Sequence, residues 1–315
     1  MKTRELFIVA LLLLFPLAMC GQRIVFTPQW TAQSQFAGYY VAQKKGFYKE
    51  AGLDVDIQHP SISYSVQNRL LDGKCNMITM QLLSAMMQID KGVEIVNILQ
   101  TSQRNALVVV SHTDSIRTFQ DLKGKKVGVW KTRFGDFGYI ADKEHELGIR
   151  WIQFLEGPNI FISGAIDAVL AMCYNEYQQI IALGHEDKPV IRLSETEYDY
   201  PEDGLYVTAE FYRQNPKQVE AFAEASRRGW EYAHSHPEEA VDIVMEMVLQ
   251  EHGHTNRIHQ KRMLEEIIKI QCEKGETVPS FELDRQKVDK LSELLLRHNR
   301  IQNPVSYEKL KGGAK

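Results

Sequence analysis

Cysteine is scarce in this chain. Only four stand in 315 residues: Cys20, Cys75, Cys173 and Cys272. The last three are far apart in the sequence, which excludes a disulfide framework and any paired metal-binding cysteine motif. They read as buried apolar residues. An excess of one charge is missing too. The formal net charge is −4, so no nucleic-acid surface is expected. Short basic blocks such as KGKK at 123–126 read as solvated turns. No GxGxxG opens a helix after a strand, and no Walker A, HExxH or GxSxG motif occurs. In HSHPEE (234–239) the two histidines stand two apart and would point to different helix faces, and HGH (252–254) has no carboxylate at ligand spacing. Both groups are therefore expected as surface histidines at helix ends rather than on a metal. No internal repeat and no low-complexity linker is present.

One long apolar run exists, from Leu6 to Met19. It is shorter than the roughly 20 residues of a comfortable membrane span. Lys2 and Arg4 precede it and Cys20 follows, the order of a secretory signal over residues 1–20. The stretch LAMC is similar to a lipoprotein cleavage box, although Met19 replaces the usual small residue. Two outcomes stay open: lipidation of Cys20, which tethers the chain to a membrane without spanning it, or plain cleavage releasing a soluble exported protein. The expected location is the periplasm or cell envelope.

The remainder, 44% hydrophobic and 25% charged overall, has ordinary globular composition. Strands are expected at RIVFTP, LDVDIQHP, NMITMQ and EIVNILQTS. Helices are expected at QFAGYYVAQKKGFYKEAG, SVQNRLLDGKC and LLSAMMQIDKG between them. The pattern restarts with a long strand at NALVVVSHTDSI (105–116), then KVGVW (126–130), a Gly-rich loop FGDFG and the strand AVLAM (168–172). LYVTAEFYRQNP reads as a strand and turn, and helix dominates after Pro216. This is an α/β fold with mixed, mostly parallel sheets and flanking helices.

In such sheets a ligand crevice opens at the carboxyl ends of the strands. Trp30, Gln33 and Gln35 follow the first strand, and Tyr39 and Tyr40 begin the next helix. Rings placed there stack on a flat ligand and amides bond its edges; core packing is the other reading of the two tyrosines. Gln81 ends the NMITMQ strand. Trp130 ends its own strand, and Phe134 and Gly135 begin a loop whose amides suit an anion or a polar ligand edge, or merely a turn. Tyr174, Asn175 and Glu176 follow AVLAM.

The segments WTAQSQFAGYYVAQKKGFYKEAGLDVDI, LLDGKCNMITM, DLKGKKVGVW and AIDAVLAMCYNEY together resemble the thiamine-pyrimidine-synthase-like (NMT1/THI5-like) family of periplasmic ABC-transporter substrate-binding proteins. The resemblance covers nearly the whole chain after the signal. It implies a two-lobed periplasmic binding protein type II fold with a hinge. Lobe one would hold residues 23–108 and 206–315, and lobe two 109–205, with hinge crossings near Ala106 and Gly204. It implies capture of a small, flat nitrogen-containing ligand, such as a thiamine pyrimidine precursor, for an ABC permease and ATPase; a sensor kinase is the other partner in view. Trp30, Tyr39, Trp130, Tyr174, Asn175 and Glu176 would hold the ligand, and the protein would act as a monomer. The family's fungal enzymes carry a pyridoxal-phosphate lysine just after the strand matching NMITM, a histidine four residues on and a Cys-rich iron motif before the strand matching LYVTAEF. Here Gln81, Leu82, Leu83 and Ser84 follow Met80, and YDYPEDGLYV has no cysteine. No enzyme activity, no cofactor and no metal are therefore expected.

The N-terminus generates a direct test. Amino-terminal sequencing of the exported protein should find residues 1–20 removed. If Cys20 is lipidated, Cys20→Ser moves the protein from the membrane fraction to the soluble one. Equal membrane retention of wild type and variant removes the anchor.

Overall fold

Alternating apolar strands and helices build two five-stranded sheets. The computed structural model describes residues 23–60, 65–131, 133–155 and 157–313; the expected signal and Cys20 lie outside them. In chain order the strands are β1 (Ile24–Thr27), β2 (Val55–Ile57), β3 (Met77–Gln81), β4 (Ile95–Gln100), β5 (Leu107–Ser111), β6 (Lys126–Trp130), β7 (Arg150–Phe154), β8 (Ala168–Met172), β9 (Val190–Arg192) and β10 (Asp203–Thr208). The first sheet has the order β2-β1-β3-β10-β4 and the second β7-β6-β8-β5-β9.

The sheets share one plan. In the first, β1 runs parallel to β2 and β3, and β10 runs antiparallel to β3 and β4. In the second, β6 is parallel to β7 and β8, and β5 is antiparallel to β8 and β9. Each antiparallel strand is the first after the chain has crossed from the other sheet. The sheets are mixed, as expected, but parallel pairing does not predominate. A crossing strand enters from the opposite end, so it must run against its neighbours.

The crossings are residues 101–106 and 196–202. They lie side by side. The Thr101 and Ser102 amides both donate to the Asp203 carbonyl at 2.9 Å, and Gln100 Nε2 donates to it at 3.0 Å. The Asn105 amide donates to the Asp199 carboxylate at 3.0 Å, and Asn105 Nδ2 to the Tyr198 carbonyl at 2.8 Å. A division at 108/109 and 205/206 would cut through β5 and β10. By sheet membership all of β5 belongs to the second sheet and all of β10 to the first.

Several local expectations shift. The helix sought across QFAGYYVAQKKGFYKEAG is two, Ala37–Lys44 and Phe47–Glu50. Gly46 divides them at φ 81°, a backbone state open to glycine at little cost. The strand from Asn105 ends at Ser111. After β10 the expected turn is a helix, Ala209–Gln214, whose start is capped by Thr208 accepting from the Phe211 amide. Neither β7 nor β9 stood out in the sequence.

The densest helix contact is between Ala37–Lys44 and Pro216–Ser235. Two glycines face each other there. A Cβ on Gly229 would lie 2.0 Å from the Gly38 carbonyl oxygen, and one on Gly38 would lie 2.2 Å from the Trp230 ring. The backbones approach so closely because neither residue carries a side chain. Gly229→Ala should therefore force the helices apart, costing roughly 1–3 kcal/mol or more. Thermal melts would show the loss; an unchanged melting temperature would refute the close approach.

Candidate ligand site

The connection after β1, the carboxyl ends of β6 and β8, and the loops that follow those two strands meet between the sheets. They enclose a cavity of about 380 Å³ including its open mouth. Gln29, Trp30, Gln33 and Gln35 supply the wall from the first sheet. Trp130, Phe134, Met172, Tyr174, Asn175 and Glu176 supply the wall from the second. Of the residues expected from sequence, the structure thus brings together Trp30, Gln33, Trp130, Phe134, Tyr174, Asn175 and Glu176.

Four do not line the cavity; Tyr40 is buried with its hydroxyl on His59. Tyr39 is 1% exposed and lies in the core, 4.7 Å from the Phe26 ring and 5.8 Å from Trp230. The close packing at Gly38 draws that helix face inward. Burial, helped by the nearby Asp203 charge, raises the Tyr39 hydroxyl above its ordinary range. Gln81 pairs in register with Asp203 at the end of β3 and turns its amide to Glu202. Gly135 precedes the Asp136–Glu144 helix, where a Cβ would lie 2.5 Å from Val129 Cγ2; close packing explains the glycine.

The rings form an angled set. Trp30 meets Phe134 edge-on at 5.8 Å across the cleft, and Phe134 meets Trp130 edge-on at 6.2 Å. Trp30 is 40% exposed at the mouth, whereas Trp130 and Tyr174 are buried. A histidine not singled out in the sequence holds the Trp30 backbone. Burial lowers His59 to about 4, so its ring is neutral near pH 7. His59 Nδ1–H then donates to the Trp30 carbonyl at 2.6 Å, and the Tyr40 hydroxyl donates to Nε2 at 2.9 Å.

Carboxylates supply the polar floor. Glu176 accepts from Trp130 Nε1 at 3.3 Å, the Met172 amide at 3.1 Å and Asn175 Nδ2 at 3.2 Å. Asp203 accepts from Gln29 Nε2 and Gln35 Nε2, both at 2.7 Å, and Gln33 Nε2 donates to Gln35 Oε1 at 2.7 Å. Glu202, next in chain, is buried at the crossing with its Oε1 unpartnered. Burial raises all three acids. For Glu202, burial and then the Asp203 charge push it up to about 8, against the pull of the Ala106 amide and Gln81. Sequence reading missed Gln29, Met172, Glu202 and Asp203. Gln29 stands beside Trp30 at the end of a strand and was open to the same argument. Asp203 was not, because its partners are 168 and 174 positions away.

Among the described residues no group of three or more His, Cys, Asp or Glu could hold a metal ion, and no helix is long and apolar enough to cross a membrane. Cys75, Cys173 and Cys272 are buried free thiols.

Glu202 has a signed consequence for stability. Its folded-state value, about 8, lies above the ordinary 4.5. Between those values the folded chain holds a proton that the unfolded chain has released. Stability therefore falls as pH rises from about 5 to about 8. Glu202→Gln should remove that loss and melt higher than wild type at pH 8. Melts of both proteins across this range check it; an identical pH slope would refute it.

Comparison with known proteins follows the fold and the site. A family model described as NMT1/THI5 like matches residues 33–240, about two thirds of the chain. A Haemophilus influenzae protein whose name links it to thiamine biosynthesis is 25% identical over 244 residues, covering 74% of this chain and 76% of the relative. The 4-amino-5-hydroxymethyl-2-methylpyrimidine phosphate synthase THI13 of Saccharomyces cerevisiae is 24% identical over 242 residues, 70% of each chain. Among solved structures, the periplasmic aliphatic sulphonate binding protein SsuA of Escherichia coli superposes with a TM-score of 0.70 at 12% identity, covering 93% of this chain and 92% of that one. The two mixed sheets with flanking helices are thus the periplasmic binding protein fold. With the matched segment spanning every strand but β1, both crossings and every cavity residue after Ala32, the chain belongs to the NMT1/THI5-like family.

Proposed function

We propose that this protein is the extracytoplasmic solute-binding component of an ABC importer, capturing a small, flat nitrogen-containing ligand such as a thiamine pyrimidine precursor. The observation that carries the reading is the cavity itself, walled half by each sheet, with only two adjacent crossings between the sheets. Residues 23–100 and 203–313 form one lobe and 107–195 the other, and the crossings are the hinge. Closure brings Trp30 against Phe134 and excludes water from the ligand. Aromatic faces with a few amides and carboxylates suit one ring and its polar edge. The thiamine-related names of two relatives support a pyrimidine.

A synthase is the other class among relatives. The ten lining residues among those described include no lysine, histidine, cysteine or serine, so the described wall offers no amine to hold pyridoxal phosphate and no side-chain nucleophile of those kinds. That composition favours capture over bond making. The permease and ATPase are the partners of this reading. A membrane kinase would read the same closure as a signal, and lipidation at Cys20 would serve either use.

The test uses 4-amino-5-hydroxymethyl-2-methylpyrimidine as probe. Calorimetry should show one saturable site, with the scattering radius shrinking on binding. Trp30→Ala, at the exposed mouth, should weaken binding by several-fold beyond the lost area, on the order of 1 kcal/mol, with the melting temperature nearly kept. Absence of binding by this probe, together with no small molecule co-purifying in native mass spectrometry, would overturn the proposal.

A further inference from the structure

The cavity and the wall behind it gather three acid groups with no cation against them among the described lining residues. Glu176 lines it and is 8% exposed; Asp203 is 7% exposed behind Gln29 and Gln35; Glu202 is 3% exposed with Oε1 unpartnered. All three act electrostatically on the hydroxyl of Tyr174, which lines the same cavity. Every donor that reaches them is neutral: indole, amide or backbone N–H. A buried carboxylate without a cation is costly, because neutral dipoles replace only part of its hydration.

Among the described residues no such cation lines the cavity. No Lys, Arg or His is among the ten lining residues. The nearby basic groups are committed elsewhere. Arg104 pairs with Asp199 at 3.1 Å, and Arg192 with Glu266 at 3.5 Å. His259 bonds Asn175 at 3.1 Å, and burial lowers it, keeping it neutral. The charged neighbours of Glu202 add to the imbalance, since Asp203 and Asp199 are both acids. Meanwhile four aromatic side chains, Trp30, Trp130, Phe134 and Tyr174, present electron-rich surface to the same space, which attracts cations.

We infer that the ligand is a small organic cation, with its positive charge on a nitrogen of a flat ring or attached to one, and with no phosphate or carboxylate group. This rests on the cavity being the solute site proposed above. The charge is the ligand's contribution to a site built acid-rich. A phosphate would meet Glu176, with Asp203 and Glu202 behind the wall, and no basic side chain among the described lining residues. The bound cation also favours the ionised form of each acid, so binding near neutral pH releases protons from the floor.

Three probes of one shape separate the charge from the shape: benzamidine, benzamide and benzoate are cationic, neutral and anionic at pH 7. Tryptophan fluorescence titrations of the full mature protein should rank benzamidine tightest, by roughly ten-fold or more over benzamide, with benzoate weakest. Calorimetry of benzamidine in buffers of different ionisation heat should show net proton release. Glu176→Gln should shrink the benzamidine preference to a few-fold. If that variant does not fold, the ranking on wild type decides. Benzamide or benzoate binding as tightly as benzamidine would overturn the inference, as would binding by none of the three or an unchanged preference in folded Glu176→Gln. A neutral or anionic preference, with the pyrimidine probe still bound, would leave the solute-binding role standing and remove only the charge assignment.

Discussion

Asp203 is the point at which this structure is tied together. Its carbonyl receives the Thr101 and Ser102 amides, the Thr101 hydroxyl and the Gln100 amide, which fastens the outgoing crossing to the returning one. Its carboxylate receives Gln29 and Gln35, which fixes the connection after β1 that carries Trp30 and Gln33. It is also the first residue of β10, paired with Gln81 of β3. One buried acidic residue thus sets the spacing of the crossings, the entry of the antiparallel strand and one wall of the cavity. The arrangement is polar because two chain segments that must lie adjacent, yet belong to neither sheet ladder, still need their backbone groups paired.

The helix Ala37–Lys44 answers to a different constraint. Gly38 against Gly229 lets two backbones touch, so the face carrying Tyr39 is drawn onto Phe26 and Trp230. The neighbouring Tyr40 is buried as well, but keeps its hydroxyl on His59. Through His59 the core of the first sheet steadies the Trp30 backbone at the cavity mouth. The rings of this segment therefore divide: Trp30 serves the cleft, Tyr39 the core, and Tyr40 connects the two.

The fold by itself does not select between capture and chemistry; family relatives include a named synthase. The proposed capture rests on the described cavity wall, which carries rings, amides and an acid. Glu202 makes stability respond to pH, since burial and the Asp203 charge withhold its ionisation until the pH nears 8.

Sequence alone determined a good part of this protein. Period-two and helical patterns marked most strands and helices, and the rule that crevices open at carboxyl ends of strands pointed to Trp130, Tyr174 and Glu176, because these are local properties of a few adjacent residues. Tertiary structure decided the rest. The antiparallel entry of β5 and β10 follows from the direction of the crossings. β9 is only three residues long and β7 is only partly buried, so they left weak patterns. Tyr39 turned to the core because a glycine 190 positions away admits its helix. The Gln29–Asp203–Gln35 floor joins residues more than 160 positions apart. Such contacts are set by how distant segments pack, and no spacing along the chain records them.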